Sequence, residues 1–303
     1  MPDESVVNTI STARLDAFRV LIISGPDRVE FLQGQLTQDV TKLETTGTSL
    51  AGWASAKGRL LAAGQLIAAG DEIWWPLPAD IVGGVAQRLK MFVLRSDVKI
   101  VISTMPISGL FGIAGLDQLQ IAGKAVPIAS QPSRLADSSL IVRVAGDPDR
   151  AWLIGPTAEA TGFGPAGESA WILQSIRTGQ PFIVTDTQEL FVPQMLNLDL
   201  IGAISFDKGC YVGQEIVART QNLGRIKRRM YRFTTDNTAE LPPGAGIYGP
   251  DNATGKVVLN SNNGASVELL AVVPIDAASG HWFCDESRSV QLIRRAVPYD
   301  VDT

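Results

Sequence analysis

The chain has 303 residues, 45% of them apolar and 19% charged, and a net charge of −5. That is enough apolar material for globular cores in two or three domains, and it excludes a disordered chain. The acidic balance also argues against direct nucleic-acid binding, which draws its affinity from basic residues on phosphates.

Other residue counts narrow the chemistry. His281 is the one histidine, so a three-histidine metal site is impossible. The two cysteines, Cys210 and Cys284, form no Cys-x-x-Cys pair, and no zinc or four-thiolate site is expected within the chain. So few cysteines suit a reducing compartment, although one disulfide between them stays open. The longest apolar candidate, Leu60 to Gly70, includes Gln65 and falls well short of the roughly 20 residues of a membrane span. The opening MPDESVVNTI is acidic where a secretory signal is basic, so a cytoplasmic location without a membrane partner is expected. Any demanding reaction in such a chain would rest on a cofactor.

In chain order, FRVLIIS (18–24) reads as a buried strand, and Gly25-Pro26-Asp27 opens a helix. Val29, Leu32, Leu36, Val40 and Leu43 continue it at helical spacing. Ala56-Lys57-Gly58 turns one extended run into the next, and Gly70-Asp71 leads into a strand over 72–77. Ile81, Val85, Leu89 and Phe92 mark a helix over 79–92, and a strand over 98–103 follows. Strands are predicted at 110–113, 140–144 and 151–154, and a helix at 168–177 stopped by Gly179 and Pro181. After a boundary near 224–229, short extended runs split by PPG, YGPDNATG, NSNNG and AASG predict a small β-barrel or sandwich. The pattern is α+β with hairpins rather than alternating β and α.

The stretch FDKGCYVGQEIVART (206–220) holds most of the candidate chemistry. Lys208-Gly209 marks a turn, and Cys210 and Tyr211 follow it. Gly213 permits a positive φ, and a helical run begins at Gln214, with Glu215 and Arg219 four apart in the favourable order. A thiol beside Lys208 near a helix start suits a nucleophile or soft ligand, whereas a small buried hydrophobe is the plainer alternative. In RIKRRMYR (225–232), five residues of eight are basic, and the alternation suits a barrel strand with a solvated face.

Lys208 to Glu215 resembles the K-G-C-Y-x-G-Q-E signature of the YgfZ family, relatives of the glycine-cleavage aminomethyltransferase. The resemblance extends to SGPDRVEFLQGQLTQDV, ASAKGRLLAAGQL, LKMFVLRSDVKI, LFVPQMLNLDL and the closing VPYDV, and so covers nearly the whole chain. It implies an α+β fold. Residues 1–105 and 106–225 would form two joined folate-binding modules, the second carrying the signature, and 226–303 a C-terminal β-barrel.

The resemblance also implies tetrahydrofolate, or a one-carbon derivative, held between the modules. Trp171 matches one of two tryptophans that line the site in the family, and Phe18 stands where the other would be. Gln194, Asn197, Tyr211, Gly213, Gln214 and Glu215 are further cofactor-binding candidates, and Cys210 and Lys208 the catalytic ones. Lys57, Arg59 and Arg95 would suit the anionic folate tail. Where aminomethyltransferases carry a glutamate, IRTGQP offers Arg177 and no acid, so glycine cleavage is not expected. The implied role is support of iron-sulfur proteins or their assembly factors, including radical enzymes that thiolate tRNA. A folate-dependent transferase acting on a small amine and a non-catalytic folate-stabilised scaffold are the alternatives.

Overall fold

The computed structural model describes residues 10–112, 120–121, 124–125, 131–159, 164–222, 226–236, 241–262 and 264–301. The run FRVLIIS shows why so apolar a segment becomes a central strand. Phe18–Ser24 alternates its side chains between two cores, with Leu21 and Ile23 on one side and Phe18 and Val20 on the other. It belongs to a five-stranded sheet in the order 48–54, 60–68, 72–78, 18–24, 99–103. On one face, Ile81, Val85 and Leu89 of helix Ala79–Val93 close the larger core. On the other, Ile107, Val142, Trp152 and Ile154 come from a six-stranded sheet, which strand Ser11–Arg14 joins between 107–111 and 164–166. Helix Glu168–Arg177 adds Trp171 to this second core.

The single helix expected after Gly25 is broken. It runs only over Arg28–Gln33, and a 3-10 turn at Val40–Lys42 and a short helix at Leu43–Thr46 follow. Between them the backbone turns to the sheet, where Thr37 donates its N–H to Gly52 O and Leu36 bridges Trp53. The helical spacing of Leu36 and Val40 thus reflects burial along an irregular path. The strand expected at 110–113 occupies Ile107–Phe111, and Ile113 lies outside the described residues.

Six strands between Arg228 and Arg295 close into a barrel. Tyr231, Phe233, Ile247, Val257, Leu269 and Trp282 fill it. Met230, Val258, Leu259, Leu270 and Val272 instead join the larger core of the body. The basic run, most of which lies in barrel strand Arg228–Thr235, is more than a solvated face. Arg229 forms a buried bidentate pair with Asp199 at 2.6 and 2.8 Å, and Arg232 binds Glu268. Arg225 and Gly224 lie outside the described residues.

Asn197, fully buried in a left-handed conformation (φ +59°), completes the junction. Its amide donates to Met230 O at 2.8 Å and Tyr299 Oη at 3.3 Å, and its carbonyl accepts from Met230 N. Tyr299 in turn donates to Gly179 O, so the C-terminal VPYDV segment is fastened to the end of the 168–177 helix. Asn197→Ala leaves buried partners unmatched and is expected to cost about 2–3 kcal/mol. Urea unfolding would show this as a lower midpoint at unchanged slope.

Candidate functional site

Strand Leu60–Ala68 pairs with Glu72–Pro78 only at Ile67–Trp74 and Ala68–Ile73. Beyond those pairs the two strands part. A narrow cleft lies there, with Leu50, Ala63, Gly64, Gln65 and Pro76 among its lining residues. Phe18, Trp152, Trp171 and Phe182 form the aromatic wall. Ring centroids lie 5.7 Å apart for Phe18–Trp152 and 4.9 Å for Trp152–Trp171, both edge to face. Phe18 and Trp171 therefore meet in one site through a third ring.

Arg150 anchors that wall. The residue is 2% exposed, and its guanidinium carbon sits 4.8 Å from the Trp171 ring centroid. Its nitrogens reach Asp147 at 2.6 Å, Ser175 Oγ at 2.7 Å, Thr178 Oγ1 at 3.2 Å and Gln180 Oε1 at 3.1 Å. Burial presses this guanidinium below its ordinary value, opposed by Asp147. Gln65, on the opposite wall, donates to Arg143 O and accepts from Ala145 N and Trp152 Nε1. Two glycines make the geometry possible. A Cβ on Gly109 would stand 2.3 Å from Trp171 Cε3, and one on Gly64 3.1 Å from Trp75 Nε1. That indole N–H is buried without a hydrogen-bond partner.

The signature segment builds a second place. Lys208 does not turn to Cys210. Its ammonium donates to Gln33 O, Leu36 O and Gln38 O, each at 2.8 Å, and lies 5.1 Å from the Tyr211 ring centroid. Burial pushes this amine down to about 8, while Asp39 opposes the shift. Main-chain bonds from Val212 N to Gly34 O and from Ser205 N to Thr37 O join the same two segments. Asp39 caps the next turn and is held down at about 2, chiefly by its bond from Thr41.

Cys210 is exposed, which removes the buried-hydrophobe alternative, and both cysteines are free thiols. Tyr211 is buried, which pushes its hydroxyl up to about 12. Gly213 (φ +81°) packs so closely that a Cβ would lie 2.4 Å from Ser55 O, in the turn of the Ala56-Lys57-Gly58 hairpin. Gln214 begins helix Gln214–Asn222 half-buried, and Glu215 is exposed on it. Gln194 is fully buried and donates to Val217 O of that helix.

The predicted residues thus fall into separate groups. Phe18 and Trp171 line the cleft, Lys208 to Glu215 and Gln194 sit at the signature segment, and Asn197 holds the barrel. Of the tail candidates, Arg59 donates to Leu190 O, and Lys57 and Arg95 are exposed. None of the three lines the cleft. Sequence reasoning missed Arg150, Trp152 and Gln180. Gln65 had a signal, a lone amide inside an apolar run. Among the described residues no group of three or more His, Cys, Asp or Glu is placed to hold a metal ion, and no helix is long and apolar enough to cross a membrane.

Two joined sheets with an aromatic cleft and a docked barrel define an aminomethyltransferase-like fold. The crystal structure of glycine cleavage system aminomethyltransferase T from Bartonella henselae superposes with a TM-score of 0.74 over 97% of this chain and 87% of that one, at 13% identity. The chain belongs to the YgfZ family. The tRNA-modifying protein YgfZ of Colwellia psychrerythraea is 31% identical over 72% of this chain and 69% of its own length. That of Edwardsiella ictaluri is 31% identical over 73% and 70%. An uncharacterized protein of Haemophilus influenzae matches at 30% over 95% and 97%. No family model matches the chain.

Two substitutions test this geometry. Gly109→Ala drives a methyl into the Trp171 ring and is expected to cost about 1–3 kcal/mol and to alter tryptophan emission. Lys208→Met leaves three carbonyls without their donor and is expected to destabilise by about 2 kcal/mol. Because the loop then loosens, Cys210 should react faster with a thiol reagent. If Lys208 instead activated the thiol, the reaction would slow.

Proposed function

We propose that this chain binds tetrahydrofolate, or a one-carbon derivative of it, in the cleft of Phe18, Trp152 and Trp171. In that state it would support the assembly or repair of iron-sulfur enzymes, among them radical enzymes that thiolate tRNA. The observation that carries the reading is the cleft itself: a narrow aromatic slot between two sheets, edged by the amides of Gln65 and Gln180. A reduced pterin is a planar ring rimmed with donors and acceptors, and such slots suit it. Gly64, without a side chain, allows close approach of a ring to its strand. Relatives called tRNA-modifying proteins support the cellular half of the reading.

Bound folate would supply one-carbon chemistry at its ring nitrogens. The protein's share is to hold the ring between Trp171 and the Gly64 strand and to keep water from it. Arg177 is spent on Glu268, at 2.7 Å. Burial raises that carboxyl, but Arg177 and Arg232 outweigh it and hold it below its ordinary value. Arg177 therefore supplies no acid where aminomethyl transfer needs one. Cys210, exposed at the signature segment, is the residue proposed to meet a client. A scaffold without turnover is favoured by a different observation, that Arg150 and Gln180 already satisfy one another and that Gln65 and Gln180 are engaged by neighbouring backbone groups.

Titration with tetrahydrofolate and its 5-formyl derivative, followed by tryptophan fluorescence, tests the binding. Saturable quenching that Trp171→Ala weakens at least tenfold is expected (about 1.4 kcal/mol). No saturable binding would overturn the reading. Cys210→Ser should keep the affinity and fail to restore iron-sulfur enzyme activity in cells lacking the gene. Full restoration would favour the scaffold.

A further inference from the structure

The five-stranded sheet ends on an open edge. Strand Lys99–Ser103 is its last, and among the described residues it pairs on one side only, with Phe18–Ser24. The register runs from Ser24–Lys99 to Val20–Ser103 without a bulge. Alternate N–H and C=O groups of such a strand point out of the sheet, where they can template another chain. Directly opposed residues of a strand pair share a face. Ile100 and Ile102, opposite Ile23 and Leu21, therefore lie on the face that helix Ala79–Val93 covers, and Val101, opposite Ile22, lies on the other. Val101 (41% exposed) and Ile102 (38%) are nonetheless both open. What the two faces of one edge strand have in common is a missing neighbour in the plane of the sheet.

Apolar exposure gathers at this edge. Of eight large apolar side chains exposed among the described residues, five lie within 91–102: Met91, Phe92, Leu94, Val101 and Ile102. Scattered singly such residues mean little, but gathered they mark a contact surface. Helix Ala79–Val93 packs against the edge strand, and its end leads into it. Leu94, at that end, holds φ +42° and is 88% exposed. A leucine in the left-handed region is strained, and this side chain gives nothing back to the chain's own core.

We propose that the edge is filled by the same strand of a second copy of this chain. Ile100-Val101-Ile102 reads identically in both directions. Antiparallel pairing about a two-fold axis at Val101 sets Val101 on the partner's Val101, Ile100 on the partner's Ile102 and Lys99 on the partner's Ser103. No like charges oppose one another, and apolar residues meet on both faces. A two-fold joint requires this self-complementarity. The two five-stranded sheets then run on as one, with both copies of the helix on the same face, and the exposed last turn of each lies beside the joint.

Sedimentation velocity of the full chain between about 1 and about 200 µM tests the assignment. A weak, concentration-dependent dimer is expected, because one strand pair with its flanking side chains buries less than the roughly 1,200 Å² of a standard interface. Val101→Lys puts like charges directly opposite each other and should weaken dimerisation about tenfold or more. Val101 is exposed in the single chain, so this variant should keep the parent melting midpoint when dilute. Val101→Ile keeps the apolar contact and should keep the dimer. Leu94→Gly releases the strained φ and removes an apolar contact, and should weaken the dimer while melting no earlier than the parent. Ile293→Lys, the same kind of change at an exposed apolar residue of the barrel, should leave the dimer intact. A chain still monomeric at the highest concentration would overturn the proposal and leave the edge to a strand of a different protein. A dimer unaffected by Val101→Lys, or weakened equally by Ile293→Lys, would overturn it as well.

Discussion

The cleft depends on one buried cation. Arg150 is removed from water under the Trp171 ring, and every direction its fork points is met by a group of the second sheet, of helix Glu168–Arg177 or of the loop after it. A guanidinium placed so deeply persists only with its partners satisfied, and breaking a buried pair of this kind costs about 3–5 kcal/mol. The position of Trp171, the orientation of Gln180 and the seating of the helix are therefore one problem with one solution. The other cleft wall is tied in by Gln65, which joins its strand to the Arg143–Ala145 segment and to Trp152.

The signature segment follows a similar rule with a different chemistry. Lys208 offers its three donors to three main-chain carbonyls where the Arg28–Gln33 helix ends, and so turns a loose helix end into a docking point. The loop is held at Lys208 and at Gly213, and Cys210 stands exposed between them. Immobilised flanks with an accessible thiol suit a residue that meets another molecule.

Much of this was legible in the sequence, for identifiable reasons. Phe18–Ser24, Ala79–Val93 and Glu168–Arg177 carry strong periodicity and sharp stops, and each forms close to where the pattern places it. Within the signature octapeptide, Gly213 and Lys208 meet conformational and hydrogen-bonding demands that few other residues could. The rest was hidden because it depends on distant pairing. Arg150 finds Ser175 and Gln180 across 25 and 30 residues, and no local pattern marks it. The helix expected through Val40 failed because tertiary contacts to Gly52 and Trp53 captured the backbone first. Asn197 read as a cofactor-binding candidate and Arg229 as part of a solvated face, and only the barrel's docking makes them interior groups.

Met230, Val258, Leu259, Leu270 and Val272 belong to the barrel by connectivity and to the body by burial. The two parts are therefore not physically independent units, because each completes the other's core. Cutting the chain after the signature segment would strip the lid from the body's main core and expose the apolar side chains it covers. Sequence drift on the barrel's inward strands is then constrained by a partner surface inherited in the same polypeptide, as if a permanent heterodimer had been written as one chain.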